Sequence, residues 1–297
     1  MTIESLNDVA VDQDATHFVN CKGHISIKNS LFENMLDDAT NIHGTYLKIS
    51  RSIDPKTIGV HAVHHQQNMH RWVAPGDTIL IRNNKTLEFY KELVVKEFRV
   101  INHRYAEIKF YNETDQILPD SGVENPYWNP SFTMENCTVQ NNRASSILLS
   151  SNREILIENN KFIRPVMASI SIAGDMNYRF EPGNVNDITI RNNHFLDGST
   201  GNFDQAIITF DPMILHPELG EKPFHCNVVI ENNLVETFDN PVLDIFSASN
   251  LSFTNNTIRR INTFEREGTD ELHIDEQSAN SFLKENNDKL IVKSIIN

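Results

Sequence analysis

The chain has 297 residues, 39% hydrophobic and 22% charged, enough for a large packed core and unlike a disordered or membrane-spanning composition. Its formal net charge of −14 argues against nucleic acid or an anionic membrane as partner, and no apolar run approaches the roughly 20 residues that cross a bilayer. The three cysteines, Cys21, Cys137 and Cys226, are too scattered for a disulfide framework or a metal-ligand spacing and read as small buried hydrophobes.

The chain opens on "MTIESLNDVAVDQD", which is acidic and lacks the basic and apolar regions of a signal peptide. A cytoplasmic chain, or one without its natural beginning, is the expectation. From "HISIKNSLFEN", centred on Asn29, an internal repeat organises the sequence. Alternating β-formers lead into a pair that begins with asparagine, and a short apolar run follows. Later copies begin their pairs at Asn136, Asn159, Asn192, Asn232 and Asn255, with spacings of 23, 33, 40 and 23. A period of 23 with two insertions predicts the coils of a right-handed parallel β-helix, an all-β solenoid. Recurrent asparagines suit its corners, because they tolerate the left-handed conformation and can stack their amides in ladders. A sandwich of hairpins would need Asn-Gly or Asp-Gly turns between its strands, and the sequence has a single such pair, Asp197–Gly198.

Asn29 and Asn136 are 107 residues apart, far more than one coil. The stretch "WVAPGDTILIRNNKTLEFYKELVVKEFRVINHRYAEIKFYN" between them reads as about five strands, which predicts a small antiparallel β-barrel or sandwich inserted between coils. The expected organisation is therefore first coils over 1–51, the insertion over 52–131, the remaining coils over 132–265, and an acidic tail or cap over 266–297.

The first coils hold the chemistry. Asp14 precedes Asp37 by 23 residues, one period, so Asp14 and the Asp37–Asp38 pair should share a face on neighbouring coils about 4.8 Å apart. The same count puts His17 below Thr40, with Asn41 and His43 close by. Crowded carboxylates repel, which raises at least one pKa and sets an acid beside a base. Paired carboxylates of glycosidases use that arrangement. A calcium site or a solvated acidic turn fits the same spacing.

"DATHFVNCKGHISIKNSLFENMLDDATNIHGTYLKI" resembles the bacterial α-galactosidases of glycoside hydrolase family 110, which act on terminal α-1,3-linked galactose. "HHQQNMHRWVAPGDTI", "QNNRASSILLSSNREILIENNKF" and "SISIAGDMNYRFEPGNVNDITIRNNHF" continue the match in order over most of residues 10–262. The resemblance implies a right-handed β-helix with inserted barrel strands, inverting hydrolysis without metal or other cofactor, and acidic site residues at Asp14, Asp37 and Asp38. Asp37 or Asp38 is expected to hold the water as base, and Asp14 to protonate the leaving oxygen. It also implies further coils and a secretion signal ahead of the segment matching Asp14, which suggests a carboxy-terminal portion or a shortened relative. "RASSIL" stands where the family pattern has an Arg-Ala-Arg-Gly-like run, so one basic contact is expected to be lost.

Substrate contacts are expected from His17, Asn41 and His43, and from Arg143 in the next coil. The loop "GDMNYRFEPG" offers Asp175, Asn177, Tyr178 and Glu181, for which a turn held by its own backbone bonds is the bland reading. Asp204 and Asp211 are weaker candidates. His61, His64, His65 and His70 would need a helix to form a zinc site, and the segment is not convincingly helical. Trp128 is expected to pack the insertion against the solenoid. The leading reading is a glycosidase acting on a galactose-terminated glycan, with the oligomeric state left open. A non-catalytic carbohydrate-binding β-helix and a polysaccharide lyase are its competitors.

Overall fold

The computed structural model describes residues 11–69, 72–201, 205–238, 240–263 and, as a strand, 288–296. Among these the chain winds through six coils of a parallel β-helix with three faces. Face A stacks Thr16–Val19, Thr40–His43, Ile147–Ser150, Ile170–Ile172, Ile208–Phe210 and Leu243–Ile245. Faces B and C carry the rest of each coil, as in Ser131–Glu135 followed by Thr138–Gln140. They merge in the long last strand Ala248–Arg260. Strand Asp288–Ile296 pairs parallel to it as a further rung. The stretch 264–287 of the expected tail lies outside the described residues, and no described helix is long and apolar enough to cross a membrane.

The asparagine pairs divide the two roles expected of them. The first member turns the corner: Asn29, Asn136, Asn159, Asn192, Asn232 and Asn255 have φ between 52° and 57°, where asparagine is tolerated better than most residues. The second member builds the ladder. Asn160 Nδ2 donates to Asn193 Oδ1 at 3.0 Å, Asn193 to Asn233 at 3.1 Å and Asn233 to Asn256 at 2.9 Å. Inside, like residues stack on like, as in Phe162 on Phe195 at 5.1 Å. Each such side chain contributes about 1.5–3 kcal/mol by burial. Cys137 belongs to this core, but Cys21 and Cys226 are half-buried at corners, so the expectation of three buried cysteines holds for one.

The spacings of 33 and 40 arise from long corners. Residues 173–186 bulge out between faces A and B of coil 4, and residues 211–224 do so in coil 5. The 107-residue gap is a closed antiparallel barrel of Leu47–Asp54, Thr57–His61, Thr78–Arg82, Phe89–Val100, Tyr105–Phe110 and Gly122–Glu124. It leaves coil 2 after His43 and rejoins at Ser131, between faces A and B. Its first strand starts at Leu47, inside the stretch assigned by sequence to the first coils. Leu47 and Ile49 pack into the barrel core, but their alternation is the same as that of a solenoid strand, so sequence pattern does not mark where coil gives way to barrel. Buried bonds fasten barrel to solenoid: Trp72 Nε1 to the Thr45 carbonyl at 3.0 Å, and Arg82, paired with Glu124, to Asn184 Oδ1 at 2.9 Å. Trp128 joins them by donating to Asp77 Oδ2 while Lys22 covers its ring.

Candidate active site

The barrel's point of insertion, the long corner of coil 4 and the start of face A meet over coils 1 and 2. Parallel pairing runs Thr16 with Thr40, His17 with Asn41 and Val19 with His43, an offset of 24 rather than the expected 23. The reason is the first corner: four residues, 20–23, connect faces A and B there, against three, 151–153, in coil 3. His17 therefore sits beside Asn41 instead of Thr40, and Asp14 comes alongside Asp38.

Asp14, Asp37 and Asp38 bring carboxylate oxygens within 4.8 Å of one another. The Asp38 backbone N–H points at Oδ1 of both Asp14 (3.2 Å) and Asp37 (3.1 Å), and Asp38 Oδ1 accepts the Ser145 N–H at 2.8 Å. Asp38 is only 6% exposed, Asp14 is half-buried and Asp37 faces solvent. Burial, reinforced by Asp14 and Asp37, pushes Asp38 up to about 8. Burial and then the charge of Asp37 also raise Asp14. At neutral pH the trio thus retains a proton. Each carboxylate has an oxygen facing a backbone N–H, and Asp14 turns its other oxygen to His17. Burial with mutual repulsion keeps a proton among the three, so the group is arranged to handle protons.

Beside the trio, His17 Nδ1 lies 3.2 Å from Asp14 Oδ2, and its Nε2 lies 2.8 Å from His43 Nε2. The Asn41 amide is buried near Asp14, and its Oδ1 has no partner. An unmet buried acceptor there is a place for a hydroxyl or water.

A cleft of about 750 Å³ opens on the far side of His17 and His43, lined by these two with His64, Gln67, Arg179 and Glu181 among others. The aspartates and Asn41 stand beside it and are not part of its lining. Its size is within the range of small-molecule sites. Two loops wall it. The barrel loop carrying His64–Asn68 is tied across by Gln67 Nε2, which donates to the Arg179 and Phe180 carbonyls at 3.1 Å each. The coil 4 corner is closed by an antiparallel bridge between Asp175 and Glu181. It lies hard against coil 3, where a Cβ on Gly183 would come 2.3 Å from that of Ser150. Burial raises the Glu181 carboxyl, with Arg179 pulling the other way.

The remaining candidates are dispersed. Asp175 directs its carboxylate to the N–H groups of Asn177, Tyr178 and Arg179 in its own turn. Asn177 donates to the Asn84 carbonyl of the barrel. Tyr178 is 69% exposed. Of the four loop residues named from sequence, Glu181 is the one that lines the cleft, because the bridge turns it inward while Asp175 closes the turn. Arg143 is exposed, with its backbone N–H on the Met35 carbonyl. Asp211 is exposed at the end of the coil 5 strand of face A, and Asp204 and His70 lie outside the described residues. His61 stacks on Tyr105 and His64 lies tilted against His65, in a stretch that is not helical. Sequence reasoning missed Arg179 and Gln67 as cleft residues, and it treated His64 as a metal candidate. Both His64 and Gln67 fall in "HHQQNMH", which was legible as a motif without a place.

Residues 57–120 match a family model described as GLAA-B beta-barrel domain II, and residues 121–289 match one described as right handed beta helix region. The chain is 36% identical over 266 residues to alpha-1,3-galactosidase B of Phocaeicola vulgatus, covering 83% of this chain and 44% of that protein. It is 35% identical over 268 residues to alpha-1,3-galactosidase B of Bacteroides fragilis (85% and 45%), and 33% identical over 280 residues to that of Akkermansia muciniphila (92% and 35%). The chain thus spans less than half the length of these relatives.

Proposed function

Because the chain belongs to the right-handed β-helix family, and is similar over most of its length to proteins named alpha-1,3-galactosidase, we propose that it is a glycoside hydrolase acting on terminal α-linked galactose. One observation carries the reading: three carboxylates within 4.8 Å of one another, of which Asp38 keeps its proton near neutrality, stand beside a cleft lined with groups that bond hydroxyls. Hydrolysis of a glycosidic bond needs an acid for the leaving oxygen and a base or nucleophile opposite it. Asp14, raised and tied to His17, supplies the proton, and the water is oriented by Asp37 or, in the fraction of molecules where it is ionised, by Asp38. Arg179, Glu181, Gln67 and the unmet Asn41 oxygen take the sugar hydroxyls.

The α-1,3 linkage and inversion belong to this proposal through the resemblance. An inverting pair stands roughly 6.5–9.5 Å apart, and the nearest oxygens here are closer than that, so distance does not carry the stereochemistry. The test is galactose release from α-1,3-linked digalactoside by the full chain, with the anomer of the first product read by proton NMR. Release of β-galactose, undiminished by a chelator, is the expected result. Binding of the sugar without turnover would make the chain a carbohydrate-binding β-helix, and loss of activity on chelation would return the trio to the role of a cation site.

A further inference from the structure

We propose that His17 and His43 form a proton relay onto Asp14, in which His43 is a positioning residue that fixes the tautomer of His17. The inference rests on reading the aspartate trio as glycosidase acid and base, and assigns to His43 a role other than contact with the sugar.

The relay follows from which atoms can donate. His43 Nδ1 lies 2.6 Å from the Gly44 carbonyl oxygen, which can only accept, so Nδ1 carries the hydrogen. Burial holds His43 down to about 4, so the ring is neutral in the ordinary working range and its Nε2 is an acceptor. His17 Nε2, 2.8 Å away, must therefore donate to it. With Nε2 protonated, His17 can meet Asp14 Oδ2, 3.2 Å from its Nδ1, in two ways. Either Asp14 is a carboxylic acid donating to a bare Nδ1, or Asp14 is a carboxylate facing an Nδ1–H on a cationic ring. The two forms contain the same atoms and differ only in where one proton sits between Oδ2 and Nδ1. Without the Gly44 anchor, His43 could carry its hydrogen on Nε2. His17 would then accept there and carry its own hydrogen on Nδ1, facing an Asp14 carboxylate, and the shared proton would be lost to solvent.

The groups facing this pair set its balance. On the Asp14 side, the charge of Asp37 raises its affinity for the proton, and the His17 ring, the Asp38 N–H and the Asn41 amide lower it. On the histidine side, burial and then His43 hold His17 below its ordinary value, while Asp14, Glu181 and Asp37 favour its cationic form. Arg179 and His64, across the cleft, keep His43 neutral. Glu181 Oε1 lies 3.7 Å from His43 Nε2, beyond hydrogen-bond range, so it does not compete with His17 for that nitrogen. The His43 side chain is 7% exposed, against 44% for His17, which leaves it little surface to offer a substrate.

Histidine-selective 15N NMR of the full chain reads tautomers directly. The expected result is a His43 ring in the Nδ1–H form that does not titrate above about pH 4, and a His17 titration that moves when Asp14→Asn is introduced. A His43 ring in the Nε2–H form, or a His17 titration indifferent to Asp14→Asn, overturns the relay. Both readings stand whether or not galactose is released, so failure of the relay and failure of the glycosidase reading are told apart. In kinetics, His43→Leu should lower kcat by roughly 10²-fold with KM within about twofold, and displace one limb of the pH–rate profile. His17→Gln, at an exposed position where folding is not at risk, should displace the same limb. A raised KM with kcat and both limbs unmoved would make these histidines sugar contacts and overturn the proposal.

Discussion

Coils 3 to 6 and coils 1 and 2 are written in the same repeat, yet they treat buried polar groups in opposite ways. In the later coils Asn160, Asn193, Asn233 and Asn256 satisfy one another, and each also donates to a face B carbonyl of the coil below. In the first two, the corresponding positions are Ser30 and Cys137, and the ladder ends. Burial falls instead on Asp38, Asn41 and His43, next to the Thr40 hydroxyl and the Asn41 amide oxygen, which have no partner. Crowded carboxylates and unmet acceptors are destabilising wherever they occur. Unmet buried atoms also occur in the later coils, at Asn152 Oδ1, Ser169 Oγ and His225 Nε2. It is therefore the crowding of carboxylates where barrel, loop and solenoid meet that marks a site held in place by the regular structure behind it.

The sharpest way to break this comparison is to relieve the crowding. Asp38→Asn keeps an oxygen for the Ser145 N–H and removes the carboxyl that can ionise. Burial raises the Asp38 pKa to about 8, so the folded state holds the proton more tightly than the unfolded one. Stability from this group is present at low pH and is lost as pH rises from about 3.8 towards 8. The variant should therefore melt higher than the parent at pH 7 while galactose release falls by roughly 10³–10⁴-fold. Asp37→Asn should lose as much activity with no gain in melting temperature, since Asp37 is exposed. A stabilised Asp38→Asn that retains full activity would sink the functional reading of the trio.

In the regular coils the relation should invert. Asn193 Oδ1 accepts from Asn160 on one side, and its Nδ2 donates to the Ile157 carbonyl on that same side and to Asn233 Oδ1 on the other. Asn193→Ala leaves several buried partners unmet and should cost about 3 kcal/mol in denaturant melts. Activity per folded molecule should stay within about twofold. A comparable loss of kcat in soluble, folded protein would show that the ladder reaches the site energetically and would blur the division between the two regions.

How much of this was legible follows the same division. The period of 23 and the paired asparagines announced the solenoid, because each residue there serves one repeated purpose. The aspartates were also legible, since Asp14 and Asp37 fall one nominal period apart. The extra residue in the first corner was not, because an offset of 24 leaves no mark on a local pattern; it decides that His17 meets Asn41 and reaches His43. Arg179, Gln67 and His64 come from loops of different coils and of the barrel. Only the closed fold brings them to one cleft, and nothing in their local sequence separates them from surface residues.

His225 offers a smaller test within the later coils. It is fully buried between Phe210 and Phe224, where Nδ1 accepts the Val185 N–H, and burial holds its pKa down to about 3. The unfolded chain binds a proton there below about 6.5 and the folded chain does not, so stability is lost as pH falls from 6.5 towards 3. At pH 5 that amounts to about 2 kcal/mol. His225→Asn, which keeps an acceptor for Val185, should flatten the decline in melting temperature between pH 7 and 5, leaving the share owed to His43. An unchanged slope would mean that the acid sensitivity arises in the first coils.

The smallest effect is expected from carrying the ladder one step towards the site. Cys137 occupies the ladder position of coil 2: its N–H already donates to Asn160 Oδ1 at 2.9 Å, and its Sγ lies 3.6 Å from the Ile27 carbonyl. Asn160 Nδ2 reaches the equivalent carbonyl, Met134, at 2.9 Å. An asparagine at 137 would replace two weak thiol contacts, to the Ile27 and Glu135 carbonyls, with an amide bond to Ile27 and a second to Asn160 Oδ1. The net gain of two such bonds, less the cost of ordering a larger side chain, is about 0.5–1 kcal/mol, or about 2 °C in melting temperature for a domain of this size. Ser30 stands at the same position in coil 1 and its hydroxyl bonds the Lys28 carbonyl, so the ladder would still end before the aspartates. Cys137→Asn should therefore raise the melting temperature and leave both kcat and the pH profile where they were. If it lowers activity instead, the interruption of the ladder at Cys137 belongs to the site, and the boundary between the two regions moves one coil further along the solenoid.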